Sequence, residues 1–163
     1  MARAMDDAVL RSMAKWPNVP DVYGWLSLDR RGNWLIRSAG ATSSFERISN
    51  QALREFIGRN YSADARGCWY FQNGPQRVFV ALAYTPLVLH LDGEALFDHC
   101  GRPFRVEQAF LDDEGSVLMA GKPGAGLLDD RDLAGYADRA GGLPGIARAA
   151  VAGRFGFVLN PAP

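Results

Sequence analysis

The feature that most constrains the fold is a four-residue pattern, Asp-x-x-Gly, that stands directly before segments rich in apolar residues. We identify it at Asp29–Gly32, Asp98–Gly101 and Asp112–Gly115. Aspartate suits the first position of a tight turn because its carboxylate accepts hydrogen bonds from the backbone ahead, and glycine suits the fourth because it readily adopts positive φ. The pattern therefore predicts turns with positive φ at all three glycines. The functional alternative, a calcium loop, needs a longer series of alternating oxygen ligands and a distal glutamate.

Segments rich in β-branched and aromatic residues predict the strands that these turns connect. The predicted strands are Val22–Leu28, Asn33–Arg37, Cys68–Phe71, Arg77–Thr85, Leu87–Leu91, Phe104–Leu111, Ser116–Ala120 and Phe155–Leu159. Asn73-Gly74 is a further hairpin signal between two of them. Because hairpins join antiparallel neighbours, the strands predict antiparallel sheet rather than parallel strands joined by helical crossovers.

Three helices are predicted, each beginning at a capping residue with an apolar residue before it and a leucine shortly after. The predicted caps are Asp6, Ser49 and Asp129, and the predicted stops are Pro17, Gly58 and Gly141. Pro144 is a candidate start of a further short helix. The sequence thus predicts an α+β fold with antiparallel β-sheet built from hairpins and about three packed helices.

A chain of 163 residues is long enough to bury one substantial core, so we expect a single α+β domain over residues 1–163. Pro86 separates two apolar runs, and two lobes divided near residue 86 are the alternative. The glycine-rich run 121–126 follows a strand and precedes a helix, which is a context that can bind phosphate. It lacks the ending of a P-loop, however, and we interpret it as a flexible connection.

The 18 lysines and arginines are balanced by 18 aspartates and glutamates, so a nucleic-acid partner is not expected. A local basic patch of Arg30, Arg31 and Arg37 is the one exception that the sequence offers. The longest apolar run is far shorter than the roughly 20 residues of a membrane-spanning helix. Because the chain has two cysteines, Cys68 and Cys100, and no secretory pattern at its start, we expect a cytoplasmic protein with both side chains as thiols.

The two histidines of the chain define a candidate polar site, which consists of His90, Asp92, Asp98, His99 and Cys100. Histidine, carboxylate and thiol are the side chains of metal sites and of Cys–His nucleophile pairs. In an extended strand, however, His99 and Cys100 point to opposite faces, and the segment lacks the paired spacing typical of zinc ligands. The pattern therefore indicates where a polar site would lie without assigning a catalytic residue, a metal ligand or a cofactor.

Three segments resemble an uncharacterised proteobacterial family of unknown function, namely Tyr23–Trp34, Trp69–Val78 and Leu127–Leu133. The likeness extends from about Pro17 to Leu133. A second uncharacterised bacterial family is more loosely similar, with a hairpin that carries Asp-x-x-Gly-x-Trp, then a helix and further strands. The resemblance implies a small cytoplasmic bacterial protein, and it brings no activity, cofactor or functional residue with it.

Two classes of function follow from these observations. We favour a non-enzymatic binding or interaction module that recognises a protein or a small molecule, with a regulatory role as one option, because no motif of established chemistry emerges from the sequence. The alternative is a small hydrolase or metal-dependent enzyme that uses the His90–Cys100 region. The sequence leaves the ligand and the oligomeric state open.

Overall fold

The computed structural model describes residues 5–37 and 44–163. The helices are α1 (Asp7–Lys15), α2 (Gln51–Arg59), α3 (Leu133–Ala140) and α4 (Val151–Phe155). The strands are β1 (Val22–Leu28), β2 (Trp34–Arg37), β3 (Phe45–Arg47), β4 (Tyr61–Ala63), β5 (Trp69–Asn73), β6 (Gln76–Leu82), β7 (Leu87–Asp92), β8 (Ala95–Asp98), β9 (Gln108–Asp112), β10 (Val117–Gly121), β11 (Gly124–Leu128) and β12 (Gly145–Ile146). The fold is α+β, as predicted.

The strands form two six-stranded sheets, and both sheets are mixed. The first sheet has the order β3-β2-β1-β6-β5-β4, and the second has the order β12-β9-β10-β11-β7-β8. Hairpin neighbours are antiparallel, whereas β1 and β6, β7 and β11, and β9 and β12 are parallel pairs. The expectation of antiparallel sheet is therefore corrected, because turn signals report only the pairing of strands that are neighbours along the chain.

The two sheets repeat one arrangement of strands. In each sheet a hairpin is followed by a three-stranded meander, and the last meander strand lies parallel to the first hairpin strand. The registers of the two meanders agree. In the first sheet Ser62 pairs with Tyr70 and Tyr70 with Phe79. In the second sheet the residues numbered 48 higher, Phe110, Leu118 and Leu127, pair in the same way. The change from one sheet to the other falls at Pro86.

Four α-helices lie in the described ranges, where the sequence predicts about three. The additional helix, α4, is followed by irregular backbone where a strand Phe155–Leu159 is predicted, so that prediction is wrong. Helix α2 is capped by Asn50, whose Oδ1 accepts the N–H of Leu53, rather than by Ser49. Helix α2 ends at Arg59, one residue beyond the predicted stop at Gly58. Gly58 packs against Cys100, and a Cβ on it would lie 3.3 Å from Cβ of Cys100.

The glycine-rich run 121–126 forms a hairpin and part of strand β11, not the predicted flexible connection. Its glycines serve close packing. A Cβ on Gly126 would lie 2.7 Å from Cγ of Leu89, a fully buried side chain of the neighbouring strand β7. Glycine in a strand can mark such a close approach, which a pattern based on β-propensity does not detect.

Gly32, Gly101 and Gly115 have φ values of 85°, 84° and 85°. In each turn the aspartate carboxylate accepts two backbone N–H groups, those of the residues two and four positions ahead. The same turn occurs a fourth time at Asp64, which accepts the N–H groups of Arg66 and Cys68. The fourth copy was missed by the sequence interpretation, although it follows the same Asp-x-x-Gly pattern.

Most buried apolar side chains form one cluster that includes residues of both sheets. Trp69 and Phe71 contribute to it, while Cys68 and Tyr70 alternate with them and join a smaller cluster on the other face of the first sheet. In the described part of the chain, no helix combines the length and the apolar character needed to cross a bilayer.

Candidate functional site

The structure brings three of the five residues of the predicted polar site close to the β1–β2 turn. A Cβ on Gly32 would be 3.5 Å from Nε2 of His90 and 2.6 Å from Cβ of His99. His99 and Cys100 line one cleft together with Gly32. Asp92 lies at the exposed end of β7. Asp98 is buried and caps its own turn by accepting the N–H groups of Cys100 and Arg102.

His99 has a structural environment. Its Nδ1 accepts the backbone N–H of Val88 at 3.1 Å, so that nitrogen carries no proton. Its ring lies against Trp34 and Tyr61, with centroid distances of 5.0 and 5.6 Å. His99 thus joins the hairpin of the first sheet to strand β7 of the second.

His90 faces two carboxylates that the sequence interpretation did not associate with it. Nδ1 of His90 lies 3.3 Å from Oδ2 of Asp129 and 3.6 Å from Oδ2 of Asp132. The Asp132 carboxylate also accepts the N–H of Leu91 at 3.3 Å, which orients it toward β7. We call His90, Asp129 and Asp132 the polar triad.

The pairing of β7 with β11 explains this arrangement. Leu89 and Leu128 are partners in the parallel register, so the next residues, His90 and Asp129, lie side by side. Asp129 then caps the 3-10 turn Asp130–Asp132 that precedes α3. The sequence predicts Asp129 as the cap of the third helix, whereas it caps the 3-10 turn before α3, and the N-cap residue of α3 itself is Asp132. The proximity of Asp129 to His90 depends on a strand that the sequence does not reveal.

The pKa of the Asp129 carboxyl is held well below its usual value. Its burial raises the pKa, but the hydrogen bonds from the side chain and the backbone N–H of Arg131 outweigh this effect and lower the pKa to about 2. Nη2 of Arg131 approaches Oδ2 of Asp129 to 2.6 Å. Asp129 is therefore an anion at neutral pH although its side chain is fully buried.

The predicted basic patch does not assemble. Arg30 donates to the Ser116 hydroxyl and lies over the Tyr84 ring. Arg31 pairs with Asp130, and Arg37 donates to the carbonyl oxygen of Gly24. Each guanidinium has its own partner within the fold, and Arg30 and Arg31 line one cleft that Arg37 does not reach.

A different feature, an apolar groove, lies on the first sheet beneath α2. It has a volume of about 520 Å³ and is lined by apolar side chains of β1, β2, β5, β6 and α2, together with Asn73 and Gln76. Leu26 and Ile57 form its buried floor, and Trp25, Ile36 and Leu53 form walls that are 46%, 43% and 40% exposed. Such a concentration of exposed large apolar side chains in one concave surface is typical of a binding site.

A β-bulge shapes one wall of the groove. Gly24 has a φ of 77°, and the pairing of β1 with β6 shifts register between Val22 and Leu26. Between the pairs formed by Val22 and Leu26, β1 has two more residues than β6. Extra residues in a strand turn the side chains that follow, so consecutive residues can reach the same face. Trp25 and Leu26 both line the groove as a result.

The groove has one polar end. Asn73 and Gln76 are partners at the β5–β6 turn, so their amide side chains lie together. Nε2 of Gln76 donates to the carbonyl oxygen of Pro20 at 3.1 Å, which holds that side chain in place. All other lining side chains of the groove are apolar.

The fold and these two features define a protein with repeated mixed sheets, an apolar groove on the first sheet and a polar triad on the second. The chain belongs to the family DUF2944, described as "Protein of unknown function (DUF2946)", whose family model matches residues 5–143. This confirms the resemblance to an uncharacterised family.

Two solved structures share the fold at low sequence identity. The crystal structure of a DUF1285 family protein from Silicibacter pomeroyi DSS-3 has a TM-score of 0.52 and 15% identity, and the match covers 82% of this chain and 84% of that one. A DUF1285 family protein from Shewanella baltica OS155 has a TM-score of 0.51 and 12% identity, with 69% and 90% covered. No curated protein matches the chain significantly.

Proposed function

We propose that this protein is a non-enzymatic binding module whose apolar groove takes up an uncharged, largely apolar small molecule. The observation that carries the proposal is the groove itself, which keeps Trp25, Ile36 and Leu53 substantially exposed around a buried apolar floor. Exposing three large apolar side chains in one place costs free energy that their burial by a ligand would recover.

The volume and the lining of the groove support a small molecule as the occupant. A volume of about 520 Å³ falls in the range of roughly 300–1,000 Å³ typical of ligand pockets. The paired amides of Asn73 and Gln76 supply hydrogen bonds without charge, so they fit a hydroxyl or amide group at one end of the ligand. A formally charged ligand group would find no charged side chain among the lining residues.

The region His90–Cys100 gives less support to the enzymatic alternative. Nδ1 of His99 is occupied by the N–H of Val88, and Cys100 packs against Gly58 of α2. A Cys–His nucleophile pair needs the imidazole to accept the thiol proton, and this use of Nδ1 leaves only the other nitrogen for that role. We keep the cytoplasm as the expected compartment, since two cysteines in 163 residues do not form a disulfide framework.

The test is a fluorescence titration with N-phenyl-1-naphthylamine, an uncharged apolar probe with one N–H group. We expect saturable binding of one probe molecule per chain, with partial quenching of the tryptophan fluorescence because Trp25 lines the groove. The variant Leu53→Glu places a charge in the groove wall and should weaken binding about tenfold or more. Leu10→Glu is the matched control, because Leu10 is also an exposed helical leucine, at 49%, and lies outside the groove.

Equal affinities of the Leu53→Glu variant and the unmodified protein would contradict the proposal. Size-exclusion chromatography with light scattering provides a second test. A dimer that Leu53→Glu dissociates and Leu10→Glu does not would show that a second copy covers the groove, and would overturn the assignment of a small molecule.

A further inference from the structure

We propose that the polar triad of His90, Asp129 and Asp132 binds one first-row transition-metal dication, with Zn²⁺ as the reference ion. The triad lies on the second sheet and shares no residue with the apolar groove, so this inference is independent of the function proposed above.

The donor atoms of the triad have the separations that such an ion requires. Nδ1 of His90 is 3.3 Å and 3.6 Å from the nearest oxygens of Asp129 and Asp132, and the three donor atoms all lie within 4.8 Å of one another. A tetrahedral zinc ion with bonds of about 2.1 Å holds its donor atoms about 3.4 Å apart. The side chains therefore need little movement to converge on one ion.

The three ligands come from positions that the backbone holds. His90 belongs to the six-residue strand β7, and Asp129 follows directly after the neighbouring strand β11. The Leu91 N–H orients the Asp132 carboxylate, which is the kind of outer-shell hydrogen bond that metal ligands commonly have. The side chains of His90 and Asp132 are 34% and 26% exposed, so an ion can reach the triad from solvent.

The combination of ligands selects the class of ion. Calcium and magnesium prefer sites made of oxygen atoms, whereas imidazole nitrogen with carboxylate oxygen suits zinc, manganese and iron. Two carboxylates and a neutral imidazole offset the charge of a dication, while coordination positions beyond the three side chains remain for water.

Arg131 is the internal competitor for this site. Its Nη2 binds Oδ2 of Asp129 at 2.6 Å, and the same oxygen faces His90. The Arg131 side chain is 59% exposed, so it can leave the carboxylate without unfolding its surroundings. An incoming ion has to displace this contact, which predicts that removing the guanidinium strengthens metal binding.

Isothermal titration calorimetry of the full chain with ZnCl₂ tests the inference. We expect one ion per chain with a dissociation constant in the micromolar range or below, and no comparable heat with MgCl₂. His90→Gln and Asp132→Asn should each weaken binding at least about tenfold, and Arg131→Gln should strengthen it about tenfold. Asp92→Asn, on the same strand, and His99→Gln, at the only other histidine, are the controls and should leave it within about twofold.

A measurement on the unmodified protein keeps the test valid if a variant does not fold. Mn²⁺ should broaden the NMR signals of the Leu91 and Asp130 amides before those of residues at the apolar groove. Absence of Zn²⁺ binding at about 1 mM, or binding that His90→Gln leaves unchanged in a folded protein, would overturn the proposal.

Discussion

Gly32 lies so close to His99 that a Cβ on the glycine would be 2.6 Å from the Cβ of the histidine. This contact lies where the turn between β1 and β2 meets the turn that follows strand β8 of the second sheet. Gly32 therefore has two reasons to be glycine, its φ of 85° and the lack of space, whereas Gly101 and Gly115 have the same φ with no atom within 4 Å of an added Cβ.

Gly32→Ala should consequently destabilise the protein more than Gly115→Ala. We expect Gly115→Ala to lower the free energy of unfolding by about 1 kcal/mol, the cost of a β-carbon at positive φ. Gly32→Ala should lower it by about 1–3 kcal/mol more, because His99 is held by Val88, Trp34 and Tyr61 and cannot easily move. Urea unfolding of the three proteins gives the comparison, and equal losses for the two variants would show that the space at Gly32 is not limiting.

The Asp129 carboxylate should make stability sensitive to acid. Its pKa is about 2 in the folded protein and 3.8 as the ordinary value, so the folded state favours the anion. The resulting stabilisation is present above about pH 4 and is lost as the pH falls through 3.8 toward 2. A shift of this size corresponds to about 2 kcal/mol.

The difference in unfolding free energy between the unmodified protein and Asp129→Asn should therefore shrink by about 2 kcal/mol from pH 5 to pH 2. Asp138→Asn is the control, since Asp138 is an exposed residue of α3 and does not contribute to the pKa of Asp129. A difference that stays constant with pH would mean that Asp129 is not the group responsible.

Local signals in the sequence predict much of the fold and little of the site. Strand β1 has the predicted bounds, Val22–Leu28, because its aromatic and apolar residues stand directly before a clear turn signal. Strand β11 was missed because its glycines serve the close approach of Leu89, which is a tertiary requirement. Without β11, nothing in the sequence connects Asp129 to His90, residues that are far apart in the chain and adjacent in the parallel register.

The apolar groove was missed for a related reason. Trp25 and Ile36 follow the strand pattern and were interpreted as part of the sheet, which is correct. Their exposure depends on the bulge at Gly24 and on the position of α2, neither of which the residue pattern of β1 encodes. A concave surface is formed by elements that are distant in sequence, so a single-sequence reading can identify its residues without recognising the surface.

The two cysteines should react at different rates in the folded protein. Cys68 is 3% exposed, and its burial, with a contribution from the Asp64 carboxylate, raises the pKa of its thiol. Cys100 is half-buried and lines a cleft of about 250 Å³ next to α2. Because the thiolate is the reactive form, 5,5′-dithiobis(2-nitrobenzoate) should modify Cys100 first and Cys68 only on unfolding. Mass spectrometry of partially modified protein identifies which cysteine has reacted. Denatured, unreduced protein should yield two thiols. Reaction of Cys68 before Cys100 would contradict the burial argument.

The two sheets should unfold together as one domain rather than as two lobes divided near residue 86. The main apolar cluster contains side chains from both sheets, and the buried Tyr61 hydroxyl donates to the carbonyl oxygen of Pro86 at 2.7 Å, directly at the point of division. Interactions of this kind couple the stabilities of the parts that they connect.

The four tryptophans, Trp16, Trp25, Trp34 and Trp69, all precede residue 86, so tryptophan fluorescence reports on the first half alone. Hydrogen exchange of the amides in β9, β10 and β11, followed by mass spectrometry across the same urea series, reports on the second. Coincident midpoints and slopes are expected from the two probes, and a second-half transition displaced from the fluorescence transition would establish two lobes instead.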